Sequence, residues 1–486
     1  MPFFRRFSQR SLALLLACLL AAPPVAAQNL PELGEVSSDD FSITTEKKIG
    51  QQIMRQIRQR EASYLDDYDV EFYLNQLGGR LGGVSSDPGY GLEFFALNDP
   101  SINAFAMPGG YIGVHSGLIL AAQSESELAG VLAHEVSHVT QRHIARQLFQ
   151  SKRIGIASMV AMGLGLLAAR SSPQAASAAI ATSQAGAISA QLAYSRDFER
   201  ESDRLGFEML GRAGFDEHGM AKFFVRLQQA VRLYENNATA YLRTHPLSGE
   251  RMADMQNRER GLSYKQVPDS LEFHLVRAKL RAMLGRPVEA IKDFTTLLNE
   301  RKFVSEAAIR YGLAQAYYRD RNWPAAQREI DAARTLGQSS VILDRMAADV
   351  RIVQGKTDAG LRIYQDAMLR YPLNLALIYG YGGALIEARQ FGEALRFAEL
   401  QLQSRSEDLR IHRMRAESYA GLGQRAMQHR ALAEVFALQN MTAGAIEQLL
   451  LAQKAGDANF YEMSAIDARL RELKLLRLEE LKERRN

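Results

Sequence analysis

Along most of this chain apolar residues recur at the three-and-four spacing of amphipathic helices, and strand-like alternation is confined to one short region. Residues 45–81 carry the helical period, as in EKKIGQQIMRQIRQR (46–60) and VEFYLNQLGGRL (70–81). A strand-like pair follows. LEFFALND (92–99) and NAFAMPGGYIGVHSGLI (103–119) are rich in aromatic and β-branched residues, with Pro108-Gly109-Gly110 as a turn. Ser124 and the acids up to Glu127 open another helix, which runs through VLAHEVSHVTQRH (131–143). Residues 154–169 are apolar on every side and 175–194 less uniformly so, with Ser171-Ser172-Pro173 between them. These stretches predict two buried helices, or else a lid or a peripheral membrane contact. The whole pattern predicts a mainly α protein with a small β-sheet.

From about 268 the texture becomes uninterrupted helix with an internal repeat. The turns GRPVEAI, RNWPAAQ, GKTDAGL, RQFGEAL and GQRAMQH place Ala290, Ala326, Gly360, Ala394 and Gln428 at the same position, 36, 34, 34 and 34 residues apart. A period near 34 with small residues where two helices of a hairpin cross is the tetratricopeptide pattern. Each hairpin can bury its faces only against its neighbours, so an α-solenoid of about five is expected, ending in the charged helix KLLRLEELKERRN.

The N-terminus changes the picture of location. Arg5, Arg6 and Arg10 precede the apolar run Leu12–Ala22, and Val25-Ala26-Ala27 has the small residues of a cleavage site. That is an export signal, cut after about Ala27, and it predicts a periplasmic mature protein. Expected boundaries are 1–27 signal peptide, 28–44 tail, 45–262 a first folded domain and 268–486 repeat domain. Cys18 is the only cysteine and lies in the signal, so an exported chain without disulfides must be held by helix packing. Of the formal net charge of +4, the three signal arginines account for most, leaving about +1. No basic run with interleaved aromatics occurs, so no nucleic-acid partner is expected.

Candidate chemistry lies in HEVSH (134–138). His134 and His138 are four residues apart and share a helix face, where two imidazoles can hold one Zn²⁺. Glu135 stands beside them as a base for a water activated there. Zinc needs a third protein ligand. A histidine at 144 preceded by glycine at 141 would supply it, but those positions hold Ile144 and Gln141. His143 is therefore read as a flanking surface group or a support to a ligand. The segment YSRDFERESDRLG (194–206) offers a better candidate. Glu199 would be the carboxylate ligand, and Asp203, one turn later, would accept the ring N–H of a ligating histidine. Glu201 points elsewhere by helical phase. Glu135 and Asp203 make up the expected catalytic set.

HEVSH followed by Ser195-Arg196-Asp197-Phe198-Glu199-Arg200-Glu201-Ser202-Asp203 resembles the M48 family of zinc metallopeptidases, with Ser202 where that family usually has alanine. The strand from Asn103 to Tyr111 and Thr244-His245-Pro246 match as well. The resemblance implies a gluzincin fold, one Zn²⁺ per chain on His134, His138 and Glu199, and peptide hydrolysis with Glu135 as base. It also implies quality control of outer-membrane proteins, with chaperone-like behaviour toward unfolded or misassembled clients. The repeats would then meet the β-barrel assembly machinery. An extended substrate is expected along the strand at Asn103, Ala104 and Phe105. His245 is left with three readings: a turn residue, a support for the developing oxyanion, or a fourth ligand that holds the site latent. Two rival classes stand beside the protease: a non-catalytic chaperone with a structural metal, and an integral membrane protease.

Overall fold

The computed structural model describes residues 42–151, 196–233, 239–263, 265–336 and 339–483. The expected signal peptide, most of the tail and the apolar stretches 154–194 lie outside the described residues.

The helical stretch 45–81 divides in two. Helix α1 (Ile43–Arg60) starts at Ser42, whose Oγ accepts the Thr45 N–H, and α2 (Tyr68–Gly82) starts at Asp67, whose carboxylate accepts two amides. Between them lies the two-residue strand β1 (Tyr64–Leu65), too short to leave a pattern. Strands β2 (Glu93–Leu97), β3 (Ala104–Ala106) and β4 (Tyr111–His115) complete one sheet in the order β1-β2-β4-β3. β2 and β4 are parallel and the other pairs antiparallel. Pro108–Gly110 is a 3₁₀ turn in which Gly109 and Gly110 take positive φ.

The strand-like reading fails at its end, because Ser116–Ala121 is helix α3. Composition alone cannot separate a buried strand from a buried helix over so few residues. A close approach decides it here. Gly117 N–H donates to the Asp99 carbonyl at 2.9 Å, and a Cβ on Gly117 would stand 2.2 Å from the Pro100 carbonyl oxygen.

Helix α4 (Glu125–Thr140) is the centre of the catalytic half. Every residue from Glu125 to Val139 is buried, as expected of a helix surrounded by protein. It packs on β3, on α6 (Arg196–Arg212) and on α7 (His218–Leu233), and a turn at Gln141-Arg142 leads into α5 (His143–Ser151). Helices α8 (Thr239–Thr244) and α9 (Gly249–Glu259) close the lower side.

Hairpins follow. Their second helices begin at Pro287, Trp323, Thr357, Phe391 and Arg425, on the spacing expected of the repeat. The first residue of each aligned turn, Gly285, Arg321, Gly355, Arg389 and Gly423, has positive φ, so one left-handed residue reverses the chain each time. Ala326 and Ala394 are fully buried at the helix crossings, whereas Gln428 in the degenerate last copy is half-buried. The described residues are thus mostly helical, with one four-stranded sheet and a C-terminal array of helix hairpins.

Candidate metal centre

Four buried side chains from three elements meet under α4. His134 and His138 come from its one inward face. Glu199 comes from the first turn of α6, and His245 follows α8 directly, its N–H bonded to the Tyr241 carbonyl at 2.8 Å. Each offers one donor atom, and these atoms all lie within 4.8 Å of one another.

Four of the separations are close to those a tetrahedral ion would set. His134 Nε2 is 3.0 Å from His138 Nε2 and 3.3 Å from His245 Nδ1. Glu199 Oε1 is 3.0 Å from His245 Nδ1 and 3.4 Å from His138 Nε2. Ligands about 2.0–2.1 Å from a tetrahedral zinc stand about 3.3 Å from one another. Three imidazoles and a carboxylate also make a donor set suited to zinc. The residues present therefore fit a resident metal ion.

Around this cluster each group has an oriented partner. His134 Nδ1 lies 3.0 Å from Asp203 Oδ1, which leaves Nε2 facing the centre. Burial opposes a charge on His134, but hydrogen bonds to Asp203 and Glu199 outweigh it and raise its pKa to about 9. Burial pushes His138 well below the usual histidine value. Burial alone would raise Glu199, yet the charge of His245 and hydrogen bonds from the three histidines hold it well below the carboxylate range. A dication would take over the neutralising role that protons play among these groups.

Glu135 is adjacent to the donor set and outside it. Its Oε2 accepts the Ala106 N–H at 3.1 Å, and its Oε1 lies 3.4 Å from His245 Nε2. β3 is an edge strand. The Asn103 carbonyl accepts from His115 N–H and Met107 N–H donates to Tyr111, so those residues face β4. By alternation Ala104 and Ala106 turn their amide groups away from β4, where the Ala106 N–H meets Glu135 and Ala104 is fully buried. Of the residues expected to meet substrate, Ala104 turns its amide away from β4 but is fully buried. Asn103 pairs inward, and Phe105 packs its ring against Phe95 and His115.

His143 is not a surface group. It is fully buried, with Nδ1 2.9 Å from His138 Nδ1 and Nε2 3.1 Å from Glu201 Oε2, and it is absent from the donor cluster. Glu201 points away from the centre, as helical phase requires. Arg251 went unnoticed in the sequence. Buried on α9, it forks onto Asp203 at 2.6 and 2.7 Å, reaches Glu199 at 2.6 Å and donates to the Pro246 carbonyl at 2.9 Å. Its only local signal is its place one helix cap after His245-Pro246. His115, His218, His274, His412 and His429 lie outside the cluster.

Comparison with known proteins agrees with this geometry. The sequence profile of peptidase family M48 matches residues 74–259, which hold every group just described from α4 to Arg251. A Vibrio cholerae protein provisionally named beta-barrel assembly-enhancing protease is 33% identical over 473 residues, covering 95% of this chain and 97% of the relative. The beta-barrel assembly-enhancing protease of Escherichia coli K12 is 30% identical over 485 residues, covering 97% and 98%. The mitochondrial metalloendopeptidase OMA1 of Schizosaccharomyces pombe is 26% identical over 220 residues, covering 45% of this chain and 62% of its own. Similarity at 30–33% across nearly the full length of two such proteases is decisive: the chain belongs to peptidase family M48 and is a metallopeptidase.

Proposed function

We propose that this chain is a periplasmic zinc metalloendopeptidase that assists outer-membrane β-barrel assembly by degrading unfolded or stalled clients, and that its resting site is held latent by His245. The observation that carries the catalytic reading is a cluster of four buried donors with an acid, Glu135, directly beside it and outside it. A purely structural metal has no use for that acid.

One Zn²⁺ per chain would be held by His134, His138 and Glu199. When bound, it supplies a Lewis acid that polarises the scissile carbonyl and makes a water acidic near neutral pH. Glu135 takes the proton of the attacking water and passes it to the leaving nitrogen. Asp203 fixes the tautomer of His134, and Arg251 anchors Asp203. An extended client lies beside β3 at its Ala106 end, the part of the strand's far edge that is not fully buried, bonding through main-chain groups. That mode suits β-rich chains that have not yet paired. The client class follows the relatives' name, and the expected export signal at 1–27 supports the periplasm as the site of the reaction. The hairpin array is the surface for the β-barrel assembly machinery.

His245 occupies the corner that a catalytic zinc keeps open, and its other nitrogen faces Glu135. This favours latency over oxyanion support. Among the described residues no helix is long and apolar enough to cross a membrane.

The test is cleavage of an unfolded client protein by the zinc-loaded wild type, His245→Ala and His245→Ala/Glu135→Gln. Latency predicts faster cleavage by His245→Ala. Loss of turnover with zinc retained would transfer the oxyanion role to His245. Equal rates with and without Glu135→Gln would leave the non-catalytic chaperone as the reading.

A further inference from the structure

The two histidines of α4 are oriented by different means. His134 turns its outer nitrogen to a carboxylate, Asp203. His138 turns its outer nitrogen to another imidazole. We propose that His143 and Glu201 form a two-member relay that positions His138, with Glu201 fixing the tautomer of His143 and His143 fixing the tautomer of His138. The proposal rests on the metal-site reading above.

The logic runs inward from Glu201. A carboxylate accepts only, so His143 Nε2, 3.1 Å from Glu201 Oε2, carries a proton and donates it. The ring is fully buried and stacks on Phe198 at 4.4 Å and 10°, which holds both nitrogens on these partners, and a neutral imidazole with its proton on Nε2 has none on Nδ1. Its Nδ1 is then a bare acceptor. Two imidazole nitrogens 2.9 Å apart share one proton, so His138 Nδ1 must be the donor. His138 Nε2 is left with its lone pair toward His134, Glu199 and the centre. A flipped tautomer at any link would put a proton on the nitrogen that has to bind the ion.

The backbone is shaped for this contact. Arg142 adopts φ 52°, a conformation that side-chain-bearing residues rarely take, and the chain reverses there between α4 and α5. That reversal brings His143 back against His138, five residues earlier. The Arg142 guanidinium is fixed by two bonds to Glu46, at 2.9 and 2.7 Å. Arg146, one turn along α5, holds Glu201 Oε2 at 3.0 Å, so the carboxylate at the end of the relay is itself anchored. Ser202 Oγ, at 3.3 Å, is a second and longer contact to His143 Nδ1. The serine that stands where the family usually has alanine therefore competes with His138 for one lone pair.

The test is zinc affinity of the full chain, measured by chelator competition at fixed pH, with melting of the metal-free protein as the control for folding. His143→Leu removes the acceptor and is expected to weaken zinc about 10–100-fold. Asparagine places an oxygen where Nδ1 stands, so His143→Asn is expected to restore affinity to within about threefold of wild type. Ser202→Ala is expected to leave affinity within about twofold. Wild-type affinity in His143→Leu overturns the proposal. So does a His143→Asn variant that melts normally yet binds as poorly as His143→Leu, because the ring would then be packing only. A loss in Ser202→Ala as large as that in His143→Leu assigns the orienting role to the hydroxyl and also overturns it. A Glu199→Gln arm that keeps full affinity would instead sink the underlying metal-site reading, whatever the His143 variants do.

Discussion

Replacing Gly206 with alanine tests whether the crossing of two helices sets the geometry of the metal site. Gly206 lies on α6 where it meets α4. A Cβ built there falls 3.0 Å from the backbone nitrogen of His134, 3.2 Å from its Cα and 3.2 Å from the Ala133 carbonyl carbon. These are main-chain atoms of a wholly buried helix and cannot rotate aside. Ordinary contact begins near 3.4 Å, so α6 must retreat by about 0.4 Å. Overpacking of this kind costs about 1–3 kcal/mol, and the better helix propensity of alanine returns about 0.8–1 kcal/mol. The net loss expected is about 0–2 kcal/mol. The larger consequence is chemical. Glu199 and Asp203 sit on α6 within two turns of Gly206, and a shift of about 0.4 Å would stretch the Asp203–His134 contact from 3.0 Å to the limit of hydrogen bonding. Zinc affinity should fall by up to about tenfold, a loss comparable to removing a ligand's outer partner. Chelator competition on Gly206→Ala and Gly206→Val, with urea denaturation of the metal-free proteins, reads both effects, and valine should be worse in each. A Gly206→Val variant that binds zinc and unfolds like wild type would show that the two helices are not locked at this point.

Three further outcomes follow from buried charges. Asp69, 1% exposed on α2, receives Lys279 Nζ at 2.7 Å and Arg345 Nε at 2.7 Å from the hairpin array; Asp69→Asn leaves Lys279 to Asp67 and Arg345 to Asp349 and should cost about 1–3 kcal/mol in urea denaturation. Burial opposes the Asp69 charge but Arg345 and Lys279 overcome it and depress its pKa, so its stabilisation is complete above the unfolded value near 4 and fades as pH falls below it; wild type should lose stability there faster than Asp69→Asn. Arg251→Lys keeps the charge and loses the fork onto Asp203, so a loss of about 1–3 kcal/mol is expected in thermal denaturation, and an unchanged melting curve would refute the anchoring role.

Local periodicity carried the parts of this site that lie within one helix turn of each other. His134 and His138 share a face because the helix repeats every 3.6 residues, and the same phase put Glu199 and Asp203 together and sent Glu201 elsewhere. The repeat was legible for the same reason, since each turn reverses at one left-handed residue and crosses at one small one. What escaped depends on chain reversal. The position of His143 is set by one unusual φ at Arg142, which no spacing rule contains. Arg251 is invisible because its three partners lie five, forty-eight and fifty-two residues away, at Pro246, Asp203 and Glu199. The short helix at Ser116–Ala121 was mistaken for strand because a buried apolar run of six residues fits either form.

The change of sequence texture near 268 does not mark a gap in packing. One cluster of buried apolar residues runs from Val70 on α2 through Leu132 on α4 to Phe273, Leu313 and Val350 in the hairpins. Glu125, in the first turn of α4, accepts from Tyr73 on one side and from Ser270, at the start of the array, on the other. Arg410, in a later hairpin, returns to Asp66 and Glu71 beside α2 at 2.7 Å each. The array is therefore fastened to the catalytic half at both its early and its late hairpins. α4 is clamped between the array at its first turn and α6 at its last, and α4 carries His134, Glu135 and His138. A partner that bends the hairpins would pull on Glu125 and on Asp69, through Ser270 and Lys279, before it could separate the halves. These contacts give the repeats a short physical connection to α4. Substitutions at Asp69 should reach zinc affinity through α2 and α4, even though Asp69 touches no group of the centre.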